Sequence, residues 1–222
     1  MPVTDTLFRL DNQIAVVTGA CGKLGPVWAQ ALLHAGAHVA ALELPGAPES
    51  EAYRTVADQA GGQLRRFDCD VTSRVSIEGA VDACVRQIGE PTILVNNAGV
   101  DQPPDSGGNR SRIEDWPTDQ FRRMVEVNLL GSFQVTQIVG GRMAARGSGS
   151  IVNIGSLYAS VSPDQRFYDH LSGALPFLKS PAYGASKAAV VNMTAYFATL
   201  WGPHGVRVNT LSPGGVQAGQ DD

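Results

Sequence analysis

The chain has 222 residues, 43% of them hydrophobic and 17% charged, with 25 Gly and 13 Pro, which is enough apolar material for a full core without disulfide or metal staples. The formal net charge is −4, and 3 Lys and 14 Arg scattered along the chain make no basic surface, which argues against nucleic-acid and membrane-surface partners. Cys21, Cys69 and Cys84 are too far apart for a zinc site or a redox dithiol and point to a reducing, cytoplasmic setting.

The first twelve residues mix Asp5, Arg9 and Asp11 with isolated apolar side chains and contain no apolar core of a secretion signal. The strand 14–17, Ile-Ala-Val-Val, runs directly into Thr18-Gly-Ala-Cys-Gly-Lys-Leu-Gly25 and then a helix predicted over 27–35. Strand, glycine turn and helix in that order suit a dinucleotide. Glycines let the backbone approach a pyrophosphate, and the free amides and dipole at the helix N-terminus meet its charge. Lys23 stands in this turn, where its ammonium could touch a phosphate or lie in solvent. His34 and His38 share helical spacing with no third ligand, so no metal site is expected there.

A second strand, 38–42, ends at Glu43, whose carboxylate could accept hydrogen bonds from adenosine ribose hydroxyls and would repel a 2′-phosphate. No Arg follows within 44–50, so NAD is expected and NADP disfavoured. Further strands are predicted over 63–67, 92–95, 150–154 and 206–211, with helices over 49–60, 76–88 and 119–145 between them. The helices at 119–145 and 184–202 are apolar nearly all round. Such helices are buried on both sides, either deep in the core or against a second copy of the chain in a homodimer or homotetramer. Uncharged stretches at 127–141 and 188–203 contain Asn, Gln, Thr and Ser and fall short of the ~18 residues of a membrane span. Two polar segments interrupt the rhythm, at 101–112 and 158–180. The order of elements predicts one α/β domain over 1–222, a single Rossmann-like doubly wound parallel sheet with helices on both faces.

Several motifs in order resemble the short-chain dehydrogenase/reductase family from about Leu10 to Val216. They are the Thr18-Gly19 turn, Asp70-Val71, the Asn96-Asn97-Ala98-Gly99 run, Asn128, Ser156 after the fifth strand, Tyr183-Gly-Ala-Ser-Lys187, and Pro213-Gly214. The resemblance implies a catalytic set of Asn128, Ser156, Tyr183 and Lys187. It also implies cofactor contacts from Gly19, Gly22, Lys23, Leu24, Gly25, Glu43, Asp70, Val71, Asn96, Ala98, Tyr183, Lys187, Pro213, Gly214 and Val216. Three features depart from it. The spacing Gly19, Gly22, Gly25 is similar to the branch that holds nucleotide-sugar epimerases and dehydratases; residues 157–182 look like an inserted active-site loop; and the usual C-terminal helix and last strand are not seen before Asp222.

On a helix, positions 183 and 187 are neighbours, so the Lys187 ammonium is expected beside the Tyr183 phenol, where together with a positive nicotinamide ring it could bring the phenol pKa toward the working pH. Tyr183 would then take the alcohol proton during oxidation or return it during reduction, with Ser156 holding the substrate oxygen. The family implies that Lys187 also bonds the nicotinamide ribose and that Asn128 anchors a proton-relaying water. The expected function is hydride transfer between NAD(H) and a secondary alcohol or ketone. Asp164, Arg166, Asp169, His170 and Lys179 give the insertion a polar character that suits a polyol or sugar-like substrate. A dinucleotide-binding protein without turnover, and a nucleotide-sugar epimerase or dehydratase, are the other readings.

Overall fold

Strands paired in parallel and covered on both faces are apolar along their length rather than alternating. The runs Ile14–Thr18 (β1), His38–Glu43 (β2) and Ile93–Asn96 (β4) have this character, and most of their residues are buried. They form the centre of one sheet, completed by Leu64–Asp68 (β3), Gly149–Ile154 (β5) and Val206–Leu211 (β6). All pairings are parallel, in the order β3-β2-β1-β4-β5-β6. This is a computed structural model, and residues 7–101, 112–171, 175 and 177–216 are described. At the two ends of that order the pattern loosens: in β6, Val206 and Val208 are buried while Arg207 and Asn209 face out.

Successive side chains on a strand point to opposite faces. On one face Val16, Leu42, Leu94 and Ile151 pack with Ile77 and Val81 of Arg74–Gln87 (α3), Val135, Val139 and Met143 of a long helix at 118–146 (α4), and Phe197 of Pro181–Trp201 (α5). On the other, Ala15, Val17, Val39 and Ala41 pack with Ala29 of Gly25–His34 (α1) and with Tyr53 and Val56 of Glu51–Gln59 (α2). The doubly wound sheet expected from the sequence is thus present, with element ends displaced by up to three residues.

α4 departs from a uniform α-helix. Its inward residues Met124, Asn128, Ser132, Thr136 and Gly140 recur at every fourth position, as do Gly131, Val135, Val139 and Met143. That interval exceeds the ~3.6 residues of an α-helical turn. Two π-helical stretches, Glu126–Gly131 and Thr136–Gly140, absorb the difference and keep both rows against the sheet. The polar members are satisfied inside the core. Asn96 Nδ2 donates to Thr136 Oγ1 and Asn153 Oδ1, both at 2.8 Å, and Asn153 Nδ2 donates to Thr194 Oγ1 at 2.9 Å, tying β4 and β5 to α4 and α5. The polar segment 158–180 contains a 3-10 turn, Gln165–Leu171, and another, Leu157–Ala159, lies just before it; most of 101–112 lies outside the described residues.

Candidate active site

The strands present their C-terminal ends at one edge, and the sheet order reverses between β1 and β4, which opens a crevice there. At that point β1 ends in Thr18 and the chain turns through Gly19 with φ +62°, a conformation glycine tolerates. A Cβ on Gly19 would lie 2.9 Å from the Ala98 Cα, and one on Gly25 would overlap the Gly19 carbonyl. Thr18 Oγ1 accepts the N–H groups of Asn97 and Ala98 at 3.0 Å each. Asn97 Nδ2 donates to the Thr18 and Gly19 carbonyls, and its Oδ1 accepts Trp28 Nε1–H at 2.8 Å. The turn is therefore locked onto both β4 and α1. Asn97 and Trp28 were not anticipated as individual residues; the paired asparagines were the only signal.

Hydroxyls of Ser50, Ser73 and Ser180 cap the N-termini of α2, α3 and α5. α1 has no side-chain cap and carries Pro at its start. Its first amides and positive dipole end are left for a ligand, and beside them Gly22 and Lys23 are exposed and Leu24 is half-buried. This donor set fits a pyrophosphate.

Glu43 closes the same turn. Its Oε2 accepts Cys21 N–H at 2.8 Å and its Oε1 accepts Leu44 N–H at 3.0 Å, which holds a carboxylate against the glycine loop. An arginine is also near, from β3 rather than from 44–50. The Arg66 guanidinium is held by Glu49 Oε1 at 3.0 Å and by the Ala47 carbonyl at 3.1 Å. Asp70 Oδ1 accepts from the Thr72 N–H and hydroxyl, and Val71 packs on Gly131 of α4. Leu157 N–H donates to the Pro213 carbonyl at 3.0 Å, seating the stretch with Gly214 and the exposed Val216 beside the end of β5. Asn96 Nδ2 is engaged in the core network, while its buried Oδ1 has no hydrogen-bond partner among the described residues. Ala98 likewise has its N–H taken by Thr18.

Tyr183 and Lys187 lie one turn apart on α5. The Lys187 Nζ is 5.8 Å from the Tyr183 ring centroid and donates to the Ile154 carbonyl at 2.7 Å. Burial pulls Lys187 down to about 8, while the charge of Asp101 works against that. In the chain without cofactor the Tyr183 phenol is shifted upward. Burial first, and then Asp101, raise its pKa, and the neighbouring Ser156 hydroxyl offsets part of the rise. Ser156 is buried and its Oγ accepts Tyr158 N–H at 3.2 Å, which sets the Tyr158 ring edge-on to Tyr183 at 6.5 Å.

Asn128 is fully buried in the first π-helical stretch. Its Oδ1 accepts Val100 N–H at 2.8 Å, and its Nδ2 donates to the Val100 carbonyl and to Ser186 Oγ. A Cβ on Gly99 would lie 3.2 Å from Asn128 Oδ1 and 3.6 Å from Lys187 Nζ, so the chain leaving β4 passes against both. The next residue but one, Asp101, pairs with Lys179 at 2.6 Å, a contact the sequence did not reveal. A cavity of about 570 Å³ runs between 158–165, 178–181 and the first turns of α5. Tyr158 and Lys179 line it, whereas Ser156 and Tyr183 do not.

A family model described as enoyl-(acyl carrier protein) reductase matches residues 19–221. The chain is 37% identical over 209 residues to the D-threitol dehydrogenase of Mycolicibacterium smegmatis, covering 93% of this chain and 71% of that protein. It is 32% identical over 210 residues to the NAD-dependent glycerol dehydrogenase of Listeria innocua, covering 94% and 72%. Among solved structures, NAD+-bound xylitol dehydrogenase superposes with a TM-score of 0.75 at 31% identity, over 92% of this chain and 70% of that one. A short-chain type dehydrogenase/reductase from Mycobacterium marinum gives 0.78 at 30% identity, over 96% and 78%. Among the described residues, no helix is long and apolar enough to cross a membrane.

Proposed function

The chain belongs to the short-chain dehydrogenase/reductase family, and from that premise we propose that it oxidises a polyol at a secondary hydroxyl with NAD as the hydride acceptor. That it is an oxidoreductase of small alcohols and ketones follows from its dehydrogenase relatives, which do not favour a non-catalytic binder or a nucleotide-sugar epimerase or dehydratase. The observation that carries the mechanism is the gathering of Tyr183, Lys187 and Ser156 at the sheet edge that also holds the uncapped α1.

Ser156 holds the reacting oxygen beside the phenol, and Tyr183 takes its proton during oxidation. Lys187 would hold the nicotinamide ribose and, with it bound, favour the phenolate, and Asn128 would anchor the water through which the proton leaves. When bound, NAD supplies the hydride-accepting ring. Gly19, Gly22, Lys23, Leu24 and Gly25 would hold its pyrophosphate, Glu43 its adenosine ribose, and Asp70, Val71 and the main chain at Asn96 and Ala98 the adenine side. Pro213, Gly214 and Val216 would border the nicotinamide. For NAD over NADP, the support is that Glu43 faces the glycine loop while Arg66 is tied to Glu49. For a polyol, it is the names of the relatives together with the polar character of 157–182, whose Tyr158 and Lys179 lie beside Tyr183.

A panel of linear polyols and their ketoses, assayed with NAD and with NADP at the reduced-nicotinamide absorbance, tests both parts. Turnover of at least one polyol with higher kcat/KM for NAD is expected. A preference for NADP would overturn the cofactor assignment, and activity confined to apolar alcohols would overturn the substrate class. We also propose that 1–222 acts as one catalytic domain and that the outward faces of α4 and α5, within 119–145 and 184–202, meet a second copy of the chain.

A further inference from the structure

The chain has 3 lysines, and two of them are buried against one aromatic ring. Lys187 approaches Tyr183 from within α5, and Lys179 approaches it from the segment that leads into α5; each Nζ lies 5.8 Å from the ring centroid. Lysine ammonium groups are seldom removed from water, because desolvation costs several kcal/mol unless specific partners compensate. Lys179 is 9% exposed, and its Nζ meets Asp101 Oδ2 at 2.6 Å. Its own N–H donates to Gln165 Oε1 at 3.2 Å, and the next residue, Ser180, caps α5. On the other side, Asp101 follows Val100, whose N–H and carbonyl are both held by Asn128. The ammonium is thus fixed by the insertion, by the N-terminus of α5 and by the exit of β4.

We propose that Lys179 is a positioning residue for proton transfer, a cation that Asp101 holds at Tyr183 and that favours the phenolate. This rests on the reading that Tyr183 transfers the proton. Among the described residues, the groups facing Tyr183 are Lys187 on its own helix, Lys179 and Ser156, Asp101 at the exit of β4, and Tyr158, whose hydroxyl lies 3.3 Å from that of Tyr168. The signs oppose each other. A cation beside a phenol stabilises phenolate, whereas the Asp101 carboxylate raises the Tyr183 pKa. The pair therefore acts on Tyr183 as a dipole whose positive end is Lys179, and the two ends shift the phenol in opposite directions.

Titration of tyrosinate ultraviolet absorbance in the ligand-free protein, taken as the difference from Tyr183→Phe, reads the phenol directly, and the pH profile of kcat/KM reads it in turnover. Lys179→Met is expected to move the Tyr183 midpoint up by about one pH unit, the lower end of what one opposite charge does at this range. Asp101→Asn is expected to move it down, and Lys179→Arg to leave it near that of the parent. A merely structural contact would lower activity in all three without opposite movements of the midpoint. An unmoved midpoint in folded Lys179→Met overturns the proposal; if that variant does not fold, an Asp101→Asn midpoint that is unmoved or raised does so. Full turnover in Tyr183→Phe would instead remove the proton-transfer reading, whereas loss of turnover there with an unmoved Lys179→Met profile removes only the role of Lys179.

Discussion

Desolvation brings Lys187 from the ordinary lysine value of 10.5 down to about 8, against the pull of Asp101. Between those values the unfolded chain binds more protons than the folded one, so this group adds stability as pH rises through the window, and its penalty is complete below about 8. Lys187→Met should therefore raise stability at pH 7 by about 1–3 kcal/mol, after allowing for the lost bond to the Ile154 carbonyl. The gain should fade to nothing as pH approaches 10.5 in denaturant titrations; a gain independent of pH would contradict it. The proximity of Tyr183 and Lys187 was legible, since a four-residue interval fixes it on any helix. The direction of the Tyr183 shift was not, because burial depth is a tertiary property. Nor was the Asp101–Lys179 pair, whose members are 78 positions apart.

Helix α4 shows how a pattern can be visible and still be misread. A helix at 119–145, apolar nearly all round, was expected, and the structure gives 118–146 with Phe121, Leu130 and Phe133 exposed and a buried stripe recurring at every fourth residue. The stripe is in the sequence, but only the sheet beneath it reveals that π-helical turns are needed to keep it facing inward. One of those turns carries Asn128. The outward apolar side chains of α4 are matched on α5 by Val191, Tyr196 and Leu200, also exposed. These side chains are where the proposed contact with a second copy would lie. A light-scattering mass of two or more chains is expected, falling in Leu130→Glu/Leu200→Glu; a mass of one chain at all concentrations would remove the interface.

The whole molecule was readable because parallel strands leave a strong signature: short apolar runs separated by helices, which right-handed crossovers convert into one doubly wound sheet. Its order places the glycine turn of β1 next to the exit of β4, and α5 then brings Tyr183 to the same edge. The contact of Lys179 with Asp101 was not legible, since it depends on where two segments distant in sequence meet in space. The central claim is that the Tyr183 phenol moves the proton of the reacting alcohol. Single-turnover reduction of NAD by a polyol, compared between the parent chain and Tyr183→Phe with NAD affinity measured alongside, tests it most directly. The rate should fall by about 10²–10⁴-fold while NAD affinity stays within a few-fold; an unchanged rate at full NAD occupancy would contradict the account.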